Sequence, residues 1–547
     1  METEKAFFQA NSRRSLFARL GHFAYRYRRT VISIWGVVLL LSLALTPRLD
    51  SALKGAGMVY EAGKAKRAEQ LLQQELKVAP DALTLVFQSA QDQTLDAHKT
   101  DIDQLVNQIR NLPSVNSIVS SVERPEYRSA DGSTQYSVIN LKTSGSEAVP
   151  ILDRIEQVLT ESHHRNLKTF LTGKPVVDRD AQRISKKDLG KAELFALPLT
   201  LVALLFVFGS VVAAAMPVAM GVMTVSVTFG LLYFVTLRMD LSVFALNITS
   251  MLGLGLGIDY SLLMVNRFRE ELLAGSIEEA VVRTVDRAGR AVFFSGLTVC
   301  IGLVSLLMFP IVLLRSLGVA GSLVVLLSVA AALTLVPALL GIVGYKINRG
   351  GRVVKPTSKQ GGVWGAIARN VIRYSVAAVA VVLVKAIVIN LLSIGASFGA
   401  LVFIFQEGNF HTWLNFTPLG YLDILLPVVL FCVLFGLSMD YEVFLLMRIK
   451  EAYDRSGNNR LSVIEGLERT GRIITSAALL MIIVTSAFAL TSIIFVKALG
   501  LGTAIAVFID ATLIRAILVP ATMHLMGKWN WWAPKFLCLD RIKLKLD

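Results

Sequence analysis

The chain has 547 residues, of which 54% are hydrophobic and only 17% charged, and its mean hydropathy is +0.59. Soluble globular domains carry roughly 25% charged residues, which is more than this chain has. Apolar runs close to 20 residues long recur in the chain, and its formal net charge is +15. This balance excludes a disordered chain, a disulfide-stapled secreted domain and a water-soluble enzyme. It predicts a helical protein that spans a membrane many times.

The N-terminus is basic. Residues 1–30 hold seven lysines and arginines against two glutamates, and the apolar run Val31–Leu45 follows. No A-x-A cleavage site follows this run, so a signal peptide is disfavoured. The positive-inside rule predicts that residues 1–30 are cytoplasmic and that 31–47 form the first transmembrane helix.

Residues 48–192 are polar and have the patterning of a soluble domain. Strand-like and helical stretches follow in the order β-α-β-β-α-β, the ferredoxin-like arrangement. The predicted strands are 82–88, 115–122, 135–142 and 167–171, and the helices between them are 95–111 and 150–162. Further helices near 64–76 and 177–190 are expected to connect this extracytoplasmic domain to the membrane.

Five apolar segments follow, and they predict the second to sixth transmembrane helices within residues 193–345. The segments are 193–211, 213–237, 241–266, 291–310 and 316–345. The next stretch, 346–373, has seven lysines and arginines and no acidic residue. By the positive-inside rule, the linker 346–370 is cytoplasmic, so six helices return the chain to its starting side.

An internal repeat shows that the chain is a tandem duplication. The segment 255–260 (GLGIDY) recurs as 436–441 (GLSMDY), 286–290 recurs as 468–472, and 335–338 (LVPA) recurs identically as 518–521. The spacings agree as well: the acidic residue lies 27 and 28 residues after the aspartate, and the proline 78 and 80 residues after it. Internal repeats of this kind are common in membrane transporters.

The second repeat is incomplete. Residues 371–406 are interpreted as one fused segment that crosses the membrane once, where the first repeat has three crossings and a domain. Three more helices are expected in 407–527, and the basic tail 528–547 then falls on the cytoplasmic side. The prediction is about ten transmembrane helices and a single extracytoplasmic domain.

The candidate chemistry lies in the duplicated motif. Asp259 precedes Arg267 by eight residues, which places it about 12 Å inside the cytoplasmic helix end, near the midplane, and Asp440 stands equally far from Arg448. A central aspartate costs roughly 2.5–3.5 kcal/mol on insertion scales, so two of them indicate a function. Each has a glycine four residues earlier, Gly255 and Gly436, which is expected to let the helices approach closely.

Two interpretations of the aspartates stay open. Two desolvated carboxylates close together should have raised, coupled pKa values, and the adjacent Tyr260 and Tyr441 can donate to the opposite carboxylate, which predicts a proton relay. Alternatively, the pair is neutral, and its hydrogen bonds hold two helices in register.

Weaker candidates lie on the later helices of each repeat. Ser295 and Thr475 are possible extensions of a proton path, although hydroxyls bonded to their own backbone are the simpler interpretation. Asp510 and Arg515 have no charged counterparts in the first repeat, and they form either a structural ion pair or a bias on the relay.

Other ligand classes find no support in the sequence. There is no metal-ligand array and no cofactor motif, so neither a metal nor a cofactor is expected. The basic segments follow membrane topology, with anionic headgroups as an alternative partner, and they do not indicate nucleic acid.

With these motifs the chain resembles the MMPL family of the RND transporter superfamily. The resemblance rests on the two Asp-Tyr helices, the Gly-Arg loops, the LVPA ends and the tail motif 529–532 (WNWW). It implies a bacterial inner-membrane, proton-driven exporter of lipids or hydrophobic compounds, in which Asp259, Tyr260, Asp440 and Tyr441 relay protons. The family has two periplasmic porter domains, whereas this chain has one.

The missing domain leaves three alternatives to an active exporter. They are a transport-defective deletion product, a membrane scaffold that keeps the porter domain for binding, and an accessory subunit of protein export. A homo-oligomer is a further possibility, since a second copy would supply a second porter domain.

Overall fold

The computed structural model describes residues 15–527 except 54, 56, 58–62, 76–80, 90–93, 122, 144–147, 162–166 and 350–381. The first 14 residues, most of the predicted 346–370 linker, the start of the 371–406 segment and the 528–547 tail therefore lie outside the described residues.

The chain enters the membrane bundle through two successive helices. Helix α1 spans Leu16–Arg26, and helix α2 spans Arg28–Ala52, with only Tyr27 between them. Helix α2 contains the predicted first transmembrane segment and packs against later helices of the first repeat. Helix α3, Lys64–Glu75, then leads into the polar domain.

The polar domain contains one four-stranded antiparallel sheet. Its strands and helices follow the order expected from the sequence. They are β1 (Ala82–Ser89), α4 (Lys99–Arg110), β2 (Val115–Val119), β3 (Thr134–Leu141), α5 (Val149–Glu161) and β4 (Leu167–Thr172). The spatial order is β2-β3-β1-β4, with Leu85 opposite both Ser137 and Leu171. Leucines, isoleucines and valines from the sheet and both helices form a core separate from that of the membrane bundle.

The remaining helices of the first repeat lie close to the predicted segments. They are α6 (Lys174–Phe208), α7 (Val211–Thr236), α8 (Phe244–Glu271), α9 (Ile277–Thr284), α10 (Arg290–Val304) and α11 (Val312–Val343). One difference concerns α6: the expected connector at 177–190 is not a separate helix, because it continues without interruption into the membrane segment. The apolar residues of this half form the larger core of the molecule.

The second repeat has fewer described helices before its Asp-Tyr motif, namely α12 (Val382–Leu401) and a four-residue helix, His411–Leu414. The motif helix is α13 (Leu425–Ser456), and it is followed by α14 (Asn459–Ala487), α15 (Ile494–Ile509) and α16 (Val519–Met526). A π-helical segment, Asp510–Leu518, joins α15 to α16, so these three form one continuous span.

In the described part of the chain, eight helical spans are long and apolar enough to cross a membrane. Two shorter apolar helices, Leu391–Gln406 and Leu425–Ser438, belong to the second repeat. The two halves meet where α8 packs against α14 and α10 packs against α13. Each Asp-Tyr helix therefore contacts a later helix of the other repeat.

Candidate functional site

Asp259 lies in the most deeply buried helix of the bundle. Helix α8 is enclosed by α7, α11 and α14, and only 2% of the Asp259 surface is exposed. Small residues allow this enclosure: a Cβ on Gly257 would lie 3.0 Å from both Gly221 Cα and Thr224 Oγ1 of α7. A carboxylate in such surroundings is far more costly than a carboxylic acid, so its protonation and the packing around it are coupled.

Tyr260 connects Asp259's helix to α10. Its side chain is 1% exposed, and the Ser295 hydroxyl donates a hydrogen bond to the Tyr260 hydroxyl oxygen over 3.3 Å. The next residue, Gly296, allows a close approach to α11, because a Cβ there would overlap Val329 Cγ2. The sequence candidate Ser295 therefore contacts a residue of the Asp-Tyr motif.

Thr475 is placed differently. Its hydroxyl donates to the Gly471 carbonyl in its own helix, α14. This is the backbone-bonded arrangement that the sequence left open for both hydroxyls. The contact gives Thr475 a local role within α14.

The two motif glycines allow the repeats to pack closely, each against a helix of the other repeat. A Cβ on Gly255 would overlap Met481 Sδ of α14, and a Cβ on Gly436 would lie 2.8 Å from Val299 Cα of α10. Val299 and Met481 are themselves equivalent, since each follows the acidic residue of its repeat by 13 positions. Both repeats therefore have this close approach. Gly255 packs against α14, the helix after the one that holds Asp440, and Gly436 packs against α10, which follows the helix of Asp259.

Asp440 and Tyr441 lie within helix α13, and their side chains are outside the described residues. The contact of the two carboxylates consequently remains a prediction. Two residues before Asp440, the Ser438 hydroxyl donates to Asp510 Oδ1 over 3.2 Å, and the Ser438 carbonyl accepts from Arg515 Nη2 over 3.3 Å.

Asp510 and Arg515 form a buried ion pair on the last helix. The π-helical winding of Asp510–Leu518 explains the pairing of residues five apart, because i→i+5 hydrogen bonds stack them one turn above each other. Both side chains also contact Ser438, so the pair links the last helix to α13 just above Asp440. Sequence reasoning found these residues but not this second attachment.

A cluster of charges lies near the C-terminal ends of the two Asp-Tyr helices. Arg267 binds Glu271 at 2.6 Å and Glu270 at 3.2 Å, while Arg448 binds Glu451 at 3.2 Å and crosses to Glu270 at 3.6 Å. The positions are equivalent in the two repeats.

The cluster also sets the ionisation of Glu451, which lies beyond the apolar part of α13. Burial alone would raise the pKa of its carboxyl, but the charges of Arg448, Arg267 and Arg287 outweigh burial and hold the pKa below its usual range. Glu451 therefore stays ionised, and the cluster keeps its pairs at neutral pH.

Polar contacts join α6 to both repeats, at the N-terminal end of α8 and at the connection between α14 and α15. Asn247 donates to the Ser185 hydroxyl over 2.5 Å, and the Ser250 hydroxyl donates to Glu193 over 2.6 Å. Asp188, buried on α6, accepts from the Ser492 backbone N–H over 2.5 Å. Sequence reasoning missed these contacts because it assigned 177–190 to a connector of the polar domain. The sequence feature that could have indicated them is the spacing of Ser185, Asp188 and Glu193 along one helix that ends in an apolar run.

Among the described residues, no group of three or more His, Cys, Asp or Glu side chains could hold a metal ion. The chemistry available at the described site is thus that of carboxyl and hydroxyl groups inside a helical bundle. Such groups move protons and change helix packing.

The fold and this buried site define a multi-pass membrane protein with an RND-like helical architecture. The fold is similar to that of SecDF, a translocon-associated membrane protein from Thermus thermophilus, with a TM-score of 0.52 and 14% sequence identity over 90% of this chain and 99% of that one. The model of the MMPL family matches residues 60–378 and 370–539. The chain belongs to the MMPL family.

Two relatives extend this result over nearly the whole sequence. A membrane protein of Streptomyces coelicolor is 28% identical, and the match covers 95% of this chain and 96% of the relative. The mycolic acid-containing lipids exporter MmpL11 of Mycolicibacterium smegmatis is 24% identical over 97% of this chain and 75% of its own length. The first alignment runs over 679 positions, more than the 547 residues here, so that relative has segments without a counterpart in this chain.

Proposed function

We propose that the protein exports lipids or hydrophobic compounds across a bacterial inner membrane and is driven by the proton-motive force. The observation that carries this proposal is the buried Asp259–Tyr260 motif on α8, duplicated as Asp440–Tyr441 on α13 and packed across the repeat interface through Gly255 and Gly436. The name of the MmpL11 relative, a lipid exporter, supports the substrate class.

The proposed topology places the N- and C-termini in the cytoplasm and gives the chain about ten transmembrane helices. The sheet order β2-β3-β1-β4 supports assigning residues 48–192 as a ferredoxin-like porter domain on the periplasmic side. The 679-position alignment supports the loss of a second such domain.

The proposed mechanism follows from the cost of a buried charge. An ionised Asp259 favours packing that brings donors to its carboxylate, and a protonated Asp259 no longer needs them. Proton loading from one side and release to the other would then alternate two packings of the α8–α14 and α10–α13 contacts. The bond between Ser295 and Tyr260 gives α10 a direct part in this change.

Proton flux into proteoliposomes tests this function. We expect that Asp259→Asn and Asp440→Asn each remove the protein-dependent flux that a pH gradient drives, because asparagine cannot take up a proton. Asp103→Asn, on an exposed position of α4, is the matched control and should keep the wild-type flux. Equal flux in wild type and Asp440→Asn would overturn the relay.

The single porter domain also raises the question of a second copy. If the active unit needs two porter domains, native mass spectrometry of the wild-type protein should show a dimer. A strictly monomeric protein with proton flux would establish that one domain suffices, whereas a monomer without flux would favour the scaffold or the transport-defective alternative.

A further inference from the structure

Helix α1 is held against the first repeat along one face. Ala18 and Ala24 are fully buried, and Gly21 allows a close approach to α9, since a Cβ there would lie 3.0 Å from Val282 Cα. At its start, the Ser15 hydroxyl donates to Asp286 Oδ1 over 2.6 Å and accepts from Arg290 Nη2 over 2.7 Å. The helix is therefore a fixed part of the bundle.

The opposite face of α1 is apolar and exposed. Leu16, Phe23 and Tyr27 follow each other at i, i+7 and i+11, which places them on one stripe, and the first of them is 78% exposed. The Phe23 and Tyr27 rings lie 5.2 Å apart, so the stripe ends in an aromatic pair. Aromatic and leucine side chains arranged in this way are typical of helices that lie in a membrane interface.

Two exposed arginines border this stripe. Arg19 and Arg26 are also seven residues apart, so they project on the same side of the helix, and α1 contains no acidic residue. In the described part of the chain, neither guanidinium lies within 4.0 Å of a carboxylate. Arg26 instead lies 5.9 Å from the centre of the Tyr27 ring, next to the apolar stripe.

The position of α1 in the chain fixes the surface that it meets. Helix α2 starts at Arg28, with one residue between it and the end of α1, and its apolar part crosses the membrane. Since Tyr27 alone separates the two helices, α1 cannot leave the level of the membrane surface. Its apolar stripe then faces acyl chains while its arginines lie at headgroup depth.

We propose that α1 is an anionic-lipid binding element, in which Arg19 and Arg26 bind the phosphate groups of acidic phospholipids in the cytoplasmic leaflet. The leaflet rests on the proposed orientation of the N-terminus, but the binding itself does not depend on proton transport. The positive-inside rule requires only that basic residues lie near the transmembrane helix on the cytoplasmic side. It does not require them beside an exposed aromatic stripe on a docked helix.

Native mass spectrometry of the full-length protein in detergent tests this proposal, with dioleoylphosphatidylglycerol as the acidic probe and dioleoylphosphatidylcholine as the neutral one. The double variant Arg19→Gln/Arg26→Gln should bind phosphatidylglycerol roughly 10- to 30-fold more weakly, because each basic residue near a lipid surface contributes about a fivefold factor. Arg19→Lys/Arg26→Lys keeps both charges and should retain most of the binding.

Two controls separate this proposal from the others. Arg238→Gln removes an exposed arginine from the loop between α7 and α8 and should leave the affinity unchanged. Asp259→Asn should also bind phosphatidylglycerol as the wild type does, even though it loses proton flux, so failure of the relay leaves this test intact. Equal phosphatidylglycerol affinity in wild type and the double glutamine variant, or equal affinity of the wild type for both lipids, would show that the arginines serve topology alone.

Discussion

The two repeats keep the same steric contact but surround it with different polar groups. In both, a motif glycine fits against an equivalent residue of the opposite repeat, Met481 or Val299. Around this shared contact, Tyr260 bonds to Ser295 in the first repeat. In the second repeat Ser438, which takes the place of Gly257, binds the Asp510–Arg515 pair. The glycine contact is therefore common to both repeats, while the ion pair beside the motif segment belongs to the second repeat, since the first has Leu327 and Ala332 at those positions.

The largest expected effect comes from breaking the ion pair that only the second repeat has. Arg515→Ala leaves Asp510 as a buried charge without its cation and should destabilise the protein by about 3–5 kcal/mol. The double variant Asp510→Leu/Arg515→Ala introduces the residues that the first repeat has at these positions, Leu327 and Ala332, and should lie much closer to wild type. Thermal unfolding of the purified protein measures both; a double variant as unstable as the single one contradicts the argument.

The glycine contact should respond unequally in the two repeats. A methyl group at Gly436 meets the Val299 backbone, which cannot move aside, so Gly436→Ala should cost about 1–3 kcal/mol. Gly255→Ala should cost less, because the Met481 thioether that it meets is the end of a flexible side chain.

Gly395→Ala is the control for these two variants, since nothing lies within 4 Å of a Cβ at that position of α12. It should leave the unfolding temperature unchanged or raise it, given the higher helix propensity of alanine. If Gly255→Ala proves as harmful as Gly436→Ala, the difference between the repeats lies elsewhere.

A smaller effect is expected from removal of the Ser295 hydroxyl, which bonds to Tyr260 in the first repeat. Ser295→Ala removes the hydrogen bond to Tyr260, worth about 0.5–1.5 kcal/mol, and should slow proton flux by about 2- to 10-fold. Thr475→Val removes a hydroxyl that, among the described residues, bonds to its own helix backbone, and it should change the flux little. Equal slowing in both variants would argue against a specific part for Ser295.

The smallest effect concerns the domain that only the first repeat carries. Hydrogen bonds from the Ser129 hydroxyl and from the Ser133 backbone and hydroxyl lower the pKa of Asp131 to about 2. Because the pKa of Asp131 in the folded state is below the ordinary value of 3.8, its ionised carboxylate stabilises the turn at pH values above 3.8. This stabilisation is lost as the pH falls towards 2.

Amide hydrogen exchange at Ser133 measures this loss, because its N–H donates to Asp131 Oδ1 over 3.1 Å. Exchange, corrected for its intrinsic pH dependence, should become faster between pH 4 and pH 2. Asp131→Asn should remove that pH dependence. Persistence of the dependence in the variant would assign it to another carboxyl, such as Asp96, whose pKa is lowered by its hydrogen bond to Arg128.

Much of the fold follows from the sequence because its signals are periodic. Helix length and hydropathy predict the spans, the repeat predicts the two motif helices, and alternation predicts the four strands of the sheet. The eight apolar spans and the match of the MMPL family model confirm that the chain is a multi-pass membrane protein of that family. The sequence does not predict which helices touch, since the spacing of a motif carries no information on its neighbours; the contact of Gly255 with Met481 and of Gly436 with Val299 is the clearest example.

Polar contacts between distant helices are the other part that escapes prediction. Asp188 and Ser492 are 304 residues apart and belong to no shared motif, yet their bond joins α6 to the second repeat. Asp510 and Arg515 are visible in the sequence as charges in an apolar run, but their attachment to Ser438 depends on local π-helical winding that no residue pattern announces.

The uninterrupted α6 connects the four-stranded domain directly to the membrane bundle. At 1.5 Å per residue its 35 residues span about 52 Å, and Pro198, which lacks a backbone N–H, marks the natural pivot. A bend of about 10° there would swing the domain end, about 36 Å away, by about 6 Å. The same bend would displace Asp188 by more than 2 Å, about 15 Å from the pivot, and break its 2.5 Å bond to Ser492. It would move Ser185 even farther, so the domain could swing about Pro198 only after α6 had lost its polar contacts with both repeats.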